Sequence, residues 1–130
     1  MVVNDAYNAN PTSMRAALVD LAERAGKRRR VAILGEMAEL GDDADRYHRE
    51  IGALVARIGI DVLVAVGEHA RGYLQPGVGE MRWIPDAEAF DAVAGVLRPG
   101  DAVLVKASRA VGLEGIPARI EKLSRTWSAS

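Results

Sequence analysis

Asn4, Asp5, Tyr7, Asn8 and Asn10 crowd one octet, Asn-Asp-Ala-Tyr-Asn-Ala-Asn-Pro at residues 4–11, between a short apolar start (Val2, Val3) and a helical pattern. Asp5 can accept hydrogen bonds from vicinal hydroxyls, as acidic residues do on a ribose, and Tyr7 can pack beside a base. Asn8 and Asn10 each offer donors and acceptors. The competing reading is a plain strand-to-helix turn. For Asn10, followed by Pro11, the helix-cap role ranks above binding. For Asp5, an Asx-turn and a hydroxyl-binding role weigh evenly. One cap needs one Asn or Asp, however, and the surplus here points to a site.

A second cluster is Lys106-Ala107-Ser108-Arg109. Two cations around a hydroxyl suit a carboxylate or a phosphate. Read as solvated charges before a helix, they would sit at its positive end, a poor place for cations without a bound anion. Glu36 and Glu39 flank Met37, and this loop reads as substrate-lining or structural rather than as an acid/base pair. His69 has no neighbouring Cys, Asp or second His for a metal, and His48, in a helix dense with charge, reads as a surface residue. There is no G-x-x-x-x-G-K-[ST] to cradle ATP phosphates and no G-x-G-x-x-G after the first apolar run.

These residues need elements to position them. After Pro11, Met14, Ala17, Leu18, Leu21, Ala22 and Ala25 give a one-faced helix stopped by Gly26. Val31–Leu34, Val62–Val66, Met81–Ile84 and Ala102–Val105 read as strands. A helix started by Asp42, Asp43 and Asp45 carries Tyr47, Ile51, Leu54, Val55 and Ile58, and a short one spans Glu68–Leu74. Asp86 caps a helix bearing Phe90, Val93, Ala94 and Leu97. Leu113, Ile116, Ile120 and Leu123 mark the last, with Pro117 in its first turn. The basic run Lys27–Arg30 reads as a solvated cluster at a helix end. Strand and helix alternate five times, which predicts an α/β, three-layer, Rossmann-like sheet, mostly parallel, with helices on both faces. Four strand ends then carry the unusual residues: Asn4-Asp5, Gly35-Glu36-Met37, Gly67-Glu68-His69 and Lys106–Arg109. Ligands bind at such ends.

The 130 residues suffice for one domain, expected over 1–125, with a loose tail at 126–130. A net charge of −1 gives no reason to expect nucleic acid or membrane as partner, and zero cysteines exclude disulfide and thiolate chemistry. No apolar run approaches a membrane span and no signal peptide opens the chain, so a cytoplasmic monomer is expected.

Three stretches, Asn4–Pro11 running into Thr12-Ser13-Met14, Leu34-Gly35-Glu36-Met37-Ala38-Glu39-Leu40-Gly41, and Val103–Arg109, together resemble the C-terminal domain of Mur ligases. These are ATP-dependent enzymes that build the peptidoglycan stem peptide. The Tyr-Asn-Ala-Asn-Pro form looks most like the branch that adds D-alanyl-D-alanine to UDP-N-acetylmuramoyl-tripeptide through an acyl phosphate. The resemblance implies a nucleotide-ribose contact at Asp5, and Tyr7, Asn8 and Asn10 beside it are the further candidate nucleotide contacts. It implies that the Lys106–Arg109 region faces the incoming amino acid or dipeptide, which makes Lys106, Ser108 and Arg109 the candidates for its carboxylate, with Glu36 and Met37 as further candidate substrate contacts. It also implies that ATP phosphates and Mg are held mainly by a separate central domain, that an N-terminal domain recognises the UDP-sugar, and that this domain supplies no catalytic residue or metal ligand and does not catalyse alone. Sibling ligases, including folylpolyglutamate-type enzymes, are an alternative, although their octet more often carries a His. A free-standing phospho-receiver module is another, but it needs an acceptor Asp where Val66-Gly67-Glu68 stands.

Overall fold

Asn10 starts the first helix by a reciprocal arrangement. Its Oδ1 accepts the Ser13 N–H at 2.9 Å, and Ser13 Oγ accepts the Asn10 N–H at 3.1 Å. The helix, α1 (Pro11–Ala25), buries Met14, Leu18, Leu21 and Ala25 and closes at Gly26. The computed structural model describes residues 1–5, 9–108 and 112–128, with Asp5 and Ser128 described through their backbone alone.

Around α1 lie β1 (Val2–Asp5), β2 (Arg30–Gly35), α2 (Ala44–Arg57), β3 (Val62–Val66), β4 (Glu80–Ile84), β5 (Ala102–Lys106) and α3 (Ile116–Ser128). All neighbouring strands pair in parallel, in the order β1-β5-β2-β3-β4. The central strands β2, β3 and β5 are apolar runs because both faces are covered. Alternate residues divide between two cores. Ala32, Leu34, Leu63 and Leu104 pack with α1 and α2, while Val31, Ile33, Val64, Val103 and Val105 pack with Phe90, Leu113, Ile116 and Ile120 on the other face.

The chain moves from β1 through β2 and β3 to β4 with α1 and α2 on one face, then returns to β5 across the opposite face. Direction and face reverse together, so every crossover keeps one hand. β5 consequently enters between β1 and β2, and at the β2–β5 boundary the chain leaves toward opposite layers. This is the switch point at which doubly wound sheets open a crevice.

Four expectations change. The segment after Asp86 does start with an Asp86 cap on the Ala89 N–H (3.2 Å), but it forms two 3-10 stretches, Ala87–Ala92 and Ala94–Val96, rather than one α-helix. This crossover must pass over β3 and β2, and 3-10 geometry rises about 2.0 Å per residue against 1.5 Å for an α-helix. The short element after β3 is also 3-10, His69–Tyr73. The Lys27–Arg30 run is not uniformly solvated: Arg29 reaches buried Asp101 with Nε–Oδ1 at 2.9 Å and Nη2–Oδ2 at 2.8 Å, and also donates to the Val96 carbonyl. That bond to Asp101, opposed by burial, raises the Arg29 pKa. Arg30 donates to the Ile58 carbonyl at 2.7 Å. Finally, α3 continues through Ser128 with Trp127 packed against the second core, where a loose tail from 126 was expected.

Candidate functional site

The register brings the strand ends level. Asp5 pairs with Lys106, Lys106 with Leu34, Gly35 with Val66, and Val66 with Ile84. Beyond them, loops after four strands enclose a cavity of about 380 Å³, with Glu36 and Met37 after β2, Gly67 and His69 after β3, Asp86 after β4 and Ser108 after β5. A larger groove of about 780 Å³ lies elsewhere, along the edge strand β1 and α3 among Val2, Pro117, Ile120 and Trp127. Size favours the groove. Convergent polar groups at a switch point favour the smaller cavity, and that is the better guide to a ligand site.

Three hydrogen bonds, one from the end of β5 and two from the His69–Tyr73 segment, hold the β2 loop in the cavity wall. The Ser108 N–H donates to the Glu36 carbonyl at 3.2 Å, tying the ends of β5 and β2 across the switch point. Glu36 Oε2 accepts the His69 N–H at 2.8 Å. The Tyr73 hydroxyl donates to the Gly35 carbonyl at 2.8 Å, and burial, then the Glu36 charge, push its pKa well up, so it stays a neutral donor. Gly67 is pinned at both ends: its N–H donates to the Ile84 carbonyl (3.0 Å) and its carbonyl accepts Trp83 Nε1–H (2.7 Å). The Arg71 guanidinium lies 3.9 Å over the Trp83 ring and covers that contact.

Among the residues singled out in the sequence, the structure brings Glu36, Met37 and Ser108 together. Lys106 is placed differently. It is only 1% exposed and does not line the cavity, and by the pleat it shares with Leu104 the sheet face covered by α1. Among the described residues the next helix, α3, begins ten positions later at Ile116. For Lys106, the expectation of a cation at an open strand mouth is therefore corrected by its burial. Asn10 has its carboxamide oxygen engaged as the cap of α1. The Asp5 backbone ends β1 beside Lys106, while Tyr7, Asn8 and Arg109 lie outside the described residues. Among the described residues no cluster of three or more His, Asp or Glu could hold a metal ion, and no helix is long and apolar enough to cross a membrane.

His48, expected on the surface, is 0% exposed. Its Nε2 accepts the Met37 N–H at 3.0 Å and its Nδ1 faces the Ala44 carbonyl at 2.6 Å. The signal was in the sequence, since His48 precedes Ile51 by three and Val55 by seven and so falls on the buried stripe of α2. His69 was marked by its place after a predicted strand, whereas Asp86 read only as a helix cap and reaches the cavity through the folded loop after β4.

Residues 1–109 match the family described as Mur ligase, glutamate ligase domain. The chain is 41% identical over 139 residues to the UDP-N-acetylmuramoyl-tripeptide–D-alanyl-D-alanine ligase of Mycobacterium tuberculosis (strain CDC 1551 / Oshkosh), covering 88% of this chain and 27% of that protein. The Bacillus subtilis (strain 168) protein of the same name is 35% identical over 121 residues, covering 88% of this chain and 26% of that one. A MurF ligase structure from Thermotoga maritima in complex with ADP superposes with a TM-score of 0.76 at 28% identity, covering 93% of this chain and 28% of that one. A MurF structure from Acinetobacter baumannii gives a TM-score of 0.80 at 28% identity, with the same coverage. The chain thus spans about a quarter of the length of the relatives it matches.

Proposed function

The chain belongs to the Mur ligase family through its glutamate ligase domain, and from that premise we propose that it is the C-terminal domain of an ATP-dependent ligase that adds D-alanyl-D-alanine to UDP-N-acetylmuramoyl-tripeptide. The observation that carries this reading is the extent of the match: residues 1–109 contain every strand end around the switch point, and the 41% identity is to a ligase of that name.

In the proposed reaction ATP activates the tripeptide carboxylate as an acyl phosphate, and the dipeptide amine attacks it. The central domain holds the ATP phosphates and Mg. This domain supplies no base and acts by position. In this reading Asp5, Tyr7, Asn8 and Asn10 contact the nucleotide, Glu36, Met37 and Ser108 line the dipeptide side, and Arg109 is the cation for the dipeptide carboxylate, whereas Lys106, buried in the sheet face, does not reach it. Closing the domain over the central one excludes water and orients the amine. The enzyme is proposed to be cytoplasmic, and the isolated domain to release no phosphate from ATP. A receiver module fits less well: its strand order is 2-1-3-4-5 with the first strand inside the sheet, whereas β1 lies at the edge here.

Two-substrate kinetics on the full-length ligase test the reading. Asp5→Ala is expected to raise the KM for ATP about tenfold or somewhat more, as for loss of a charge-assisted hydrogen bond of roughly 1.5–3 kcal/mol, with the dipeptide KM little changed. Arg109→Ala is expected to do the reverse. An Arg109→Ala enzyme whose ATP constant moves while its dipeptide constant stays put refutes the assignment.

A further inference from the structure

Two glycines decide how the His69–Tyr73 segment seats on α2. A Cβ on Gly52 would stand 2.6 Å from the Tyr73 carbonyl oxygen, and one on Gly72 would stand 2.8 Å from the His48 Cβ. This close approach brings the Tyr73 ring centroid to 5.0 Å and that of His69 to 6.0 Å from the His48 imidazole. His48 is thereby sealed from solvent with both ring nitrogens engaged. The Ala44 carbonyl can only accept and the Met37 N–H can only donate. The ring proton must therefore sit on Nδ1, leaving Nε2 bare toward Met37.

We propose that His48 is a positioning residue: as a neutral imidazole protonated on Nδ1, it holds the Glu36–Met37 loop at the sheet mouth for the incoming dipeptide, and a second proton on Nε2 releases that loop. The inference rests on the function proposed above. Met37 is itself only 5% exposed, so no solvent molecule readily replaces the lost acceptor, and a buried amide without one forces the loop to shift. Glu36, next in the chain, lines the cavity and would move with it.

The surroundings favour the neutral ring. Burial is the main influence lowering the His48 pKa. The Ala44 carbonyl opposes it, His69 on the 3-10 segment adds to the lowering, and Glu36 on the loop and Asp45 on α2 oppose it. Tyr73, the other titratable group against the ring, is a neutral phenol. His69 and Asp45 stand 3.6 Å apart at the edge of the cluster.

Two measurements test the proposal. In the 15N-labelled chain, the His48 ring shifts should report an Nδ1–H tautomer at neutral pH, and the Met37 amide should titrate together with that ring on acidification. In the full-length ligase, His48→Phe should raise the dipeptide KM on the order of tenfold, as for one buried hydrogen bond lost, while the ATP KM changes less than about twofold. His48→Gln can place a carboxamide oxygen near the Nε2 position. It should restore most of the dipeptide KM and abolish the rise in that constant expected of the unaltered enzyme as pH falls. An Nε2–H tautomer, or a His48→Gln enzyme as impaired as His48→Phe and equally pH-dependent, overturns the proposal. If the full-length protein does not use D-alanyl-D-alanine, the parent reading fails, and the ring shifts still decide whether His48 holds Met37.

Discussion

Gly67→Ala is the substitution whose cost the structure defines best. Gly67 ends β3 with φ +109°, a conformation an L-residue adopts only under strain, and a Cβ there would lie 2.6 Å from Glu36 Oε1 and 2.8 Å from Glu36 Cδ. Relief through the backbone is blocked, because Ile84 and Trp83 hold the Gly67 N–H and carbonyl. The Glu36 side chain can swing away instead, giving up the 2.8 Å bond from the His69 N–H. Backbone strain contributes about 1–2 kcal/mol. The lost bond, at a half-exposed carboxylate, adds about 1 kcal/mol. The expected destabilisation is therefore about 2–3 kcal/mol, measured by urea unfolding at pH 7.5. A double-mutant cycle separates the two parts. In a Glu36→Ala background the carboxylate is gone, and Gly67→Ala should cost only the strain, leaving a coupling of about 1 kcal/mol. Equal costs in both backgrounds, or a total under about 1 kcal/mol, would refute the claim that Gly67 exists to seat Glu36.

Two further outcomes follow from buried charge. Asp101→Ala removes the acceptor of two Arg29 bonds and of the Arg98 N–H (2.9 Å), and should destabilise the fold by about 2–3 kcal/mol in urea titration, the low side for a buried pair because Arg29 stays one-fifth exposed. The depressed His48 pKa makes the unfolded chain bind more protons than the folded one below the ordinary imidazole value, so this contribution to stability is complete above about pH 6.5 and fades as pH falls toward the folded pKa. The urea midpoint should accordingly drop between pH 7.5 and 5.5 more for the unaltered chain than for His48→Gln, and equal drops would contradict the neutral buried ring.

Local patterns carried much of this protein. The runs Val31–Leu34, Val62–Val66 and Ala102–Val105 read best as doubly covered strands, being short, rich in Val and bounded by turn residues, and five alternations pointed to a parallel sheet. Asn10-Pro11 announced the start of α1, and three spaced motifs carried the family resemblance. The Glu36-Met37 loop and Ser108 were legible as site residues because they follow predicted strands. Only the tertiary structure decided that β5 lies between β1 and β2, which brings Ser108 against Glu36 across 72 residues of chain. Periodicity records which face of an element is apolar, not which distant strand it pairs with. The same limit explains Arg29, whose carboxylate partner is supplied by the turn before β5, and Lys106, whose charge suggested an open mouth before the covered sheet buried it. His48 is the intermediate case. The helical stripe marked its burial, but its role depended on Gly52 and Gly72 letting a remote segment close over the ring, a packing fact that no local pattern contains.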